Sequence, residues 1–212
     1  MTRPIVCYGE SHTHGADPST PGRLPRDVRW PRVMERALGT GYEVIEEGLN
    51  GRCTVWDTPL TKGRNGLEYL YPCLLSHAPV DLVIIMLGTN DLKRIYDNTA
   101  AEIAGGAARL VVEARSTLSG PDQTPPRVLL VSPVPIGPIT AESEMWGLGA
   151  AIETSRQLAS MYRIVADGHG VAFFDAGSVA TVSPDDGVHL DAEACANLGA
   201  AMAEQVRTLF QA

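Results

Sequence analysis

The chain has 212 residues, a formal net charge of −8, 44% hydrophobic residues and 20% charged residues. This composition supplies enough apolar side chains for a folded core and excludes intrinsic disorder, collagen-like repeats and disulfide scaffolds. Because the acidic chain has no run of Lys and Arg, we expect no nucleic acid and no anionic membrane surface among its partners.

Short apolar runs rich in β-branched residues alternate with helical stretches, a pattern typical of βαβ units and a parallel sheet. In chain order the sequence predicts strand 5–8, helix 29–38, strand 42–45, helix 65–77, strand 82–87, helix 100–118, strand 128–131, helix 144–167, strand 171–174 and helix 191–210. The third strand is apolar at every position, which indicates a central strand covered on both faces. We expect one domain over residues 1–212.

The start of the chain leads directly into the first predicted strand, without the basic, apolar and small-residue segments of a secretory signal. No apolar run approaches the roughly 20 residues of a membrane-spanning helix. We therefore expect a cytoplasmic protein. Its four cysteines are scattered, with no C-x-x-C pair, and we interpret them as reduced thiols: Cys7, Cys53, Cys73 and Cys195.

Three polar segments each follow a predicted strand: residues 9–15, 46–52 and 88–91. A fourth polar segment, residues 186–189, precedes the last predicted helix. The carboxyl ends of parallel strands meet at one edge of an open sheet, and reactive groups collect there. The four segments are therefore expected to converge on one site.

These segments contain the groups that acyl transfer requires. Ser11 lies on a sharp turn after a strand, where its hydroxyl can act as a nucleophile once a base removes its proton. His189 can serve as that base, and Asp186, three residues earlier, can accept the Nδ1 proton and leave Nε2 facing the serine. The Asn90 amide and the backbone N–H groups of Gly51 and Ser11 can stabilise the oxyanion.

The four segments resemble the sequence blocks of the SGNH (GDSL-type) hydrolase superfamily. Gly9-Glu10-Ser11 is similar to the first block, Gly51 stands where the oxyanion glycine belongs, Gly88-Thr89-Asn90-Asp91 matches G-x-N-D, and Asp186-Gly187-Val188-His189 matches D-x-x-H. The resemblance implies a three-layer α/β/α fold with a five-stranded parallel sheet in flavodoxin-like order. It also implies a catalytic triad of Ser11, Asp186 and His189 and an oxyanion hole formed by Ser11, Gly51 and Asn90.

Residues 44–49 and 81–91 resemble the arylesterase and acyltransferase branch of the superfamily. This resemblance implies hydrolysis of short-chain carboxylic esters through an acyl-enzyme, possible acyl transfer to alcohols, and no metal or organic cofactor. Relatives of this branch often assemble, so we expect a homo-oligomer, with the loop 132–144 supplying apolar surface. The chain departs from the usual G-D-S-L block at Glu10 and His12, and from the aromatic residues common in this branch at His14 and Ala16.

Other interpretations remain open on sequence grounds. A carbohydrate acetylesterase or a thioesterase would use the same triad, whereas a flavodoxin-like protein would bind a flavin phosphate in the turn at residues 11–13. We interpret His12 and His14 as loop residues lining the entrance of the site, with a metal site that includes Asp17 as the alternative.

Three further assignments concern single residues around the site. Gly48 could replace Gly51 if the loop register differs. Asp91 is interpreted as a helix cap, and Trp56 and Trp146 are candidates for the wall of the acyl pocket.

Overall fold

The computed structural model describes residues 2–211 apart from the side chain of Glu142. Five parallel strands form one sheet in the order β2-β1-β3-β4-β5. The strands are β1 (Arg3–Gly9), β2 (Tyr42–Gly48), β3 (Leu82–Met86), β4 (Arg127–Ser132) and β5 (Ala172–Asp175). The predicted five-stranded parallel sheet is confirmed.

Helices cover both faces of the sheet. They are α1 (Ser11–His14), α2 (Trp30–Leu38), α3 (Gly66–Ser76), α4 (Ala100–Ser116), α5 (Ala141–Met145), α6 (Ile152–His169) and α7 (Ala192–Gln211). Helices α3, α4 and α6 pack on one face, and α2 and α7 pack on the other. Within residues 2–211, no helix combines the length and apolar character needed to cross a bilayer.

The central strand β3 joins the two apolar layers. Val83 and Ile85 point into the layer beneath α3, α4 and α6, and Leu82, Ile84 and Met86 point into the layer beneath α2 and α7. All five side chains are buried. A strand covered on both faces needs apolar side chains at every position, which explains its unbroken apolar run.

The predicted helix 144–167 is wrong, because the structure has two helices there. Helix α5 ends at Met145 and α6 begins at Ile152. Between them Gly147 has φ +76°, a left-handed conformation that ends a helix and that glycine adopts without steric cost. The apolar residues of the segment keep a helical spacing. Leu148, however, lies in the connection between the two helices, and its side chain is buried in the core from there.

Candidate active site

The four predicted segments converge at the carboxyl edge of the sheet. A cavity of about 530 Å³ opens there, and Ser11, Gly51, Asn90 and His189 all contribute to its wall. The structure therefore brings the predicted nucleophile, base and oxyanion donors to one space. Asp186 lies behind His189 and is 5% exposed.

The nucleophile lies on a tightly packed turn. Strand β1 ends at Gly9, where an added Cβ would lie 2.1 Å from Oγ1 of Thr13, so only glycine fits. Glu10 caps α1, which begins at Ser11, and Gly15 closes that helix with φ +80°. The Ser11 hydroxyl donates a hydrogen bond to Oε2 of Glu10 at 2.5 Å and forms none with His189.

Glu10 and His12 form a buried polar pair beneath the nucleophile. Both side chains are fully buried, and Nδ1 of His12 lies 3.2 Å from Oε1 of Glu10, although the two atoms are poorly aligned for a hydrogen bond. Nε2 of His12 is 2.7 Å from the backbone carbonyl of Val188. Because a carbonyl only accepts, Nε2 carries a proton. His12 thus connects the turn that holds Ser11 to the loop that holds His189.

This burial corrects the interpretation of His12 as a residue at the entrance of the site. For the metal alternative, the structure does not bring His12, His14 and Asp17 within the mutual distances of a set of metal ligands. In the part of the chain that the structure describes, one group of side chains has the spacing of metal ligands, and it contains neither histidine: Glu47, Cys73 and His77. There His77 is hydrogen-bonded to Glu47 at 2.8 Å, and burial raises the pKa of the Cys73 thiol to about 12.

Asp186 and His189 form the hydrogen-bonded pair that the D-x-x-H spacing predicts. Oδ2 of Asp186 is 2.5 Å from Nδ1 of His189. Oδ1 accepts the backbone N–H groups of Val188 and His189, each at 2.8 Å. Burial alone would raise the pKa of Asp186, but these hydrogen bonds outweigh it, and the pKa lies below its ordinary value. The carboxylate therefore stays ionised, and Nδ1 keeps its proton.

The expected oxyanion donors lie beside the same cavity. Gly51 has φ +79°, a conformation that an L side chain rarely adopts, and it lines the cavity. Gly48 does not line the cavity, and an added Cβ there would lie 2.1 Å from the backbone nitrogen of His14. The register therefore favours Gly51. The amide of Asn90 donates to the carbonyl of Arg52 at 3.2 Å, which fixes its orientation.

Two buried residues that the sequence analysis missed hold these loops together. Arg52 donates to the carbonyls of Gly9 and Glu47, and its guanidinium stacks on Tyr8 at 4.3 Å from the ring centroid. Thr54 donates its backbone N–H and its hydroxyl to Asp91. Arg52 lies in the polar segment 46–52, but its contact with Gly9 joins residues 43 apart, and the contact of Thr54 with Asp91 joins residues 37 apart. Contacts over such separations could not be predicted from the sequence.

Asp91 is not the cap that we expected. Its carboxylate is fully buried and accepts the N–H of Thr54 at 3.0 Å, which anchors the second loop to the end of β3. Burial raises the pKa of Asp91 to about 6, in spite of these hydrogen bonds. Of the two candidate pocket tryptophans, Trp146 lines the cavity, with its ring 5.5 Å from that of His189, and Trp56 does not.

The four cysteines are free thiols buried in the fold, as the sequence predicts: Cys7, Cys53, Cys73 and Cys195. Burial raises the pKa of each thiol above its ordinary value. A thiol that stays protonated is a poor nucleophile and a poor metal ligand. The hydroxyl of Ser11 is therefore the better candidate nucleophile.

Comparisons with known proteins agree with this geometry. Residues 7–196 match the family model described as GDSL-like lipase/acylhydrolase. The inhibitor-bound aryl esterase of M. smegmatis is 40% identical, with a TM-score of 0.94, and the match covers 98% of this chain and 100% of that chain. Est24, a carbohydrate acetylesterase from Sinorhizobium meliloti, is 41% identical, with a TM-score of 0.93 and coverage of 99% and 100%. A search of the curated proteins found no match.

Proposed function

The chain belongs to the GDSL-like lipase/acylhydrolase family and is an SGNH-type esterase near the arylesterase branch, and from this premise we propose that it hydrolyses short-chain carboxylic esters through an acyl-enzyme on Ser11. The observation that carries the proposal is the hydrogen bond of 2.5 Å between Asp186 and His189, because His189 lines the same cavity as Ser11. The pair leaves Nε2 of His189 available as a base.

Acylation begins when the Ser11 hydroxyl turns from Glu10 towards His189. Nε2 of His189 takes the proton as Oγ attacks the ester carbonyl, and Asp186 stabilises the imidazolium that forms. The oxyanion accepts N–H groups from Ser11 and Gly51 and the side-chain amide of Asn90. The imidazolium then protonates the leaving alcohol, and the acyl group stays on Ser11.

Deacylation repeats these steps with a new nucleophile. Water, or an alcohol in the same position, gives its proton to His189 and attacks the acyl-serine carbonyl. Collapse of the second tetrahedral intermediate returns the proton to Ser11 and releases an acid or a new ester. The proposed cycle uses side chains and backbone N–H groups of the chain together with water or an alcohol.

The resting bond from Ser11 to Glu10 supports a substrate-dependent start of this cycle. A hydroxyl that donates to a buried carboxylate gives up a charge-assisted hydrogen bond when it turns away. Hydrogen bonds of catalytic groups are often completed only when substrate is bound. We therefore assign Glu10 the role of holding the serine proton while the site is empty.

The residues of the cavity wall favour ester substrates with a small acyl group and an aromatic or sugar-sized alcohol. Trp146 and Leu148 provide apolar surface beside His189, and the two similar structures are an aryl esterase and a carbohydrate acetylesterase. An acetyl group on a phenol or a sugar fits both comparisons. A thioester would use the same steps, and kinetics on matched acetyl esters and thioesters separates the two substrate classes.

Assembly into a homo-oligomer remains a proposal, but the loop 132–144 does not supply the apolar surface that we expected, because Val134 and Ile136 are buried in the core. Apolar side chains at the rim of the cavity are exposed, among them Leu60 at 78% and Met145 at 87%. Large apolar groups at a rim are typical of surfaces that associate. Light scattering that shows a monomer across the micromolar range would contradict it.

The test of the proposed function is covalent labelling. Incubation with a fluorophosphonate probe should add one probe mass to the intact protein, and peptide mapping should place it on Ser11. The Ser11→Ala variant is the control and should stay unlabelled with its circular dichroism unchanged. An adduct on another residue, or none on a protein that hydrolyses 4-nitrophenyl acetate, would refute the assignment of the nucleophile.

A further inference from the structure

Two cationic side chains face the catalytic cavity without an acidic partner. Arg64 and Lys93 both line it. None of the described side chains that line the cavity is a carboxylate. The described side chains do not include that of Glu142. Arg64 and Lys93 are also missing from every ion pair formed within residues 2–211 when Glu142 is not counted. On a chain of net charge −8, this is a local reversal of sign.

Both cations lie next to the predicted oxyanion donors. An added Cβ at Gly51 would lie 3.3 Å from Nε of Arg64, so the guanidinium rests against this glycine. Lys93 directly follows the 3-10 turn Asn90–Leu92, and its backbone N–H donates to the carbonyl of Asn90 at 3.3 Å. Arg64 and Lys93 therefore line the same cavity as Ser11 and the predicted oxyanion donors.

The electrostatics of Lys93 are those of a group that lacks a counter-ion. Burial lowers the pKa of Lys93, and the nearby charge of Arg64 acts in the same direction. Cys53 and the carboxylates of Glu10 and Asp91 act in the opposite direction, and the pKa is lowered nevertheless. Both carboxylates already accept hydrogen bonds, Glu10 from Ser11 and Asp91 from Thr54. An anion entering the cavity would restore the balance of charge.

We propose that Arg64 and Lys93 form an anion subsite, and that the preferred substrates are esters carrying a carboxylate or a similar anionic group within a few bonds of the scissile carbonyl. This inference rests on the proposed esterase function and names its substrate class. A guanidinium can bind a carboxylate through two parallel N–H donors, and an ammonium adds a mobile third donor. The apolar surface of Trp146 and Leu148 remains available for the uncharged part of the ester.

The proposal differs from a general electrostatic role in the reaction. Two cations beside the oxyanion hole could instead stabilise the oxyanion of every ester equally. In that case their removal would slow neutral and charged substrates by the same factor. A subsite for the substrate's own charge slows only the charged ones. The ratio of kcat/KM between two esters of equal shape therefore separates the two roles.

The experiment uses two pairs of matched esters, followed by pH-stat titration of the acid released. Ethyl hydrogen succinate and ethyl levulinate place a carboxylate or a neutral ketone on the acyl side. The pair 3-acetoxybenzoate and 3-acetoxybenzamide places a carboxylate or a neutral amide on the leaving group. We expect the wild-type protein to prefer the charged member of at least one pair by about tenfold or more, as one charge-assisted hydrogen bond allows. The pair that shows the preference identifies the side that carries the charge.

Single variants then test which side chains bind the anionic group of the substrate. Lys93→Met and Arg64→Gln should each lower the preference by about tenfold while changing kcat/KM for the neutral ester much less. Lys93→Arg keeps the charge and should keep most of the preference. Lys62→Met is the matched control, because Lys62 is an exposed cation two residues from Arg64 that does not line the cavity. It should leave both ratios unchanged.

The outcomes are distinct. Equal losses on charged and neutral esters, or no preference in the wild-type protein, would overturn the anion subsite while leaving the esterase proposal intact. A protein that hydrolyses none of the four esters and takes no fluorophosphonate on Ser11 would overturn both. A preference that falls in Lys93→Met and Arg64→Gln but not in Lys62→Met establishes the subsite.

Discussion

The turn that carries the nucleophile and the loop that carries the base reach the same cavity in different ways. The turn is sealed, because Glu10 and His12 are fully buried and His12 is hydrogen-bonded to Val188, 176 residues along the chain. The loop is more open, since the side chain of His189 is 14% exposed and its main partner lies three residues away. The nucleophile is thus positioned by tertiary packing, whereas the base is positioned by a local hydrogen-bond motif. Substitutions in the turn should therefore cost stability, and substitutions in the loop should cost mainly activity.

Ser11→Ala is expected to have the largest effect on activity. Because the nucleophile would be gone, kcat for 4-nitrophenyl acetate should fall on the order of 10⁶-fold, the scale seen for a triad serine. The hydroxyl is small and bonded to Glu10 alone, so the far-ultraviolet circular dichroism should not change. Retention of more than a tenth of the activity would remove Ser11 from the mechanism.

Asp186→Asn tests whether a substitution in the loop lowers activity without lowering the stability of the fold. The amide oxygen can still accept the N–H groups of Val188 and His189, but the amide nitrogen then faces Nδ1 of the ring and forces its proton onto Nε2. With Nε2 protonated, His189 cannot act as the base, and kcat should fall roughly 10⁴-fold. The midpoint of thermal unfolding should stay within a few degrees of the wild-type value. A large drop in that midpoint would show that the loop, too, is held by packing.

His12→Ala should show the opposite balance. The variant leaves the buried carboxylate of Glu10 without its neighbouring ring and the carbonyl of Val188 without a donor. Loss of one member of a buried polar pair costs about 2–4 kcal/mol of unfolding free energy. We expect urea unfolding to report a loss of that size, with a fall in kcat far smaller than that of Asp186→Asn.

The matched control for this variant is His14→Ala, two residues along the same helical turn. The side chain of His14 is only half-buried and has one hydrogen bond, with the backbone of Gly48, so its loss should cost about 1 kcal/mol, less than the loss of His12. Equal losses in the two variants would mean that the helical turn, and not the buried pair, supplies the stability.

The open and sealed regions also differ in how well the sequence predicts them. Asp186 and His189 lie three residues apart, so their pairing follows from the chain itself, and the run from Leu82 to Met86 identifies the central strand. The sequence could not indicate that His12 contacts Val188, because that contact joins residues 176 apart. The break at Gly147 was missed because the helical spacing of apolar residues continues across it. Local hydrogen bonds and apolar periodicity can be predicted, whereas contacts fixed by the closing of the fold cannot.

Asp91→Asn should give the smallest effect, and it extends the comparison to the end of β3. The folded carboxyl has a pKa of about 6, above its ordinary value of 3.8. Between these pH values the unfolded chain has already lost the proton that the folded protein retains, so unfolding becomes easier as pH rises from 4 to 6. A difference of two pH units corresponds to at most about 3 kcal/mol. The variant has no such proton, so its free energy of unfolding should decline less over this window.

The measurement is urea unfolding of both proteins at the two ends of that pH range, and the quantity compared is the change in unfolding free energy between them. Asp122→Asn, which removes a carboxylate from an exposed turn, should show the same pH dependence as the wild-type protein. If Asp91→Asn also matches the wild type, the buried carboxylate is ionised throughout, and the loop bearing Thr54 is held by a charged acceptor. A smaller decline in Asp91→Asn alone would show that the folded protein retains the Asp91 proton over this window, and that burying the ionised carboxylate costs stability at higher pH.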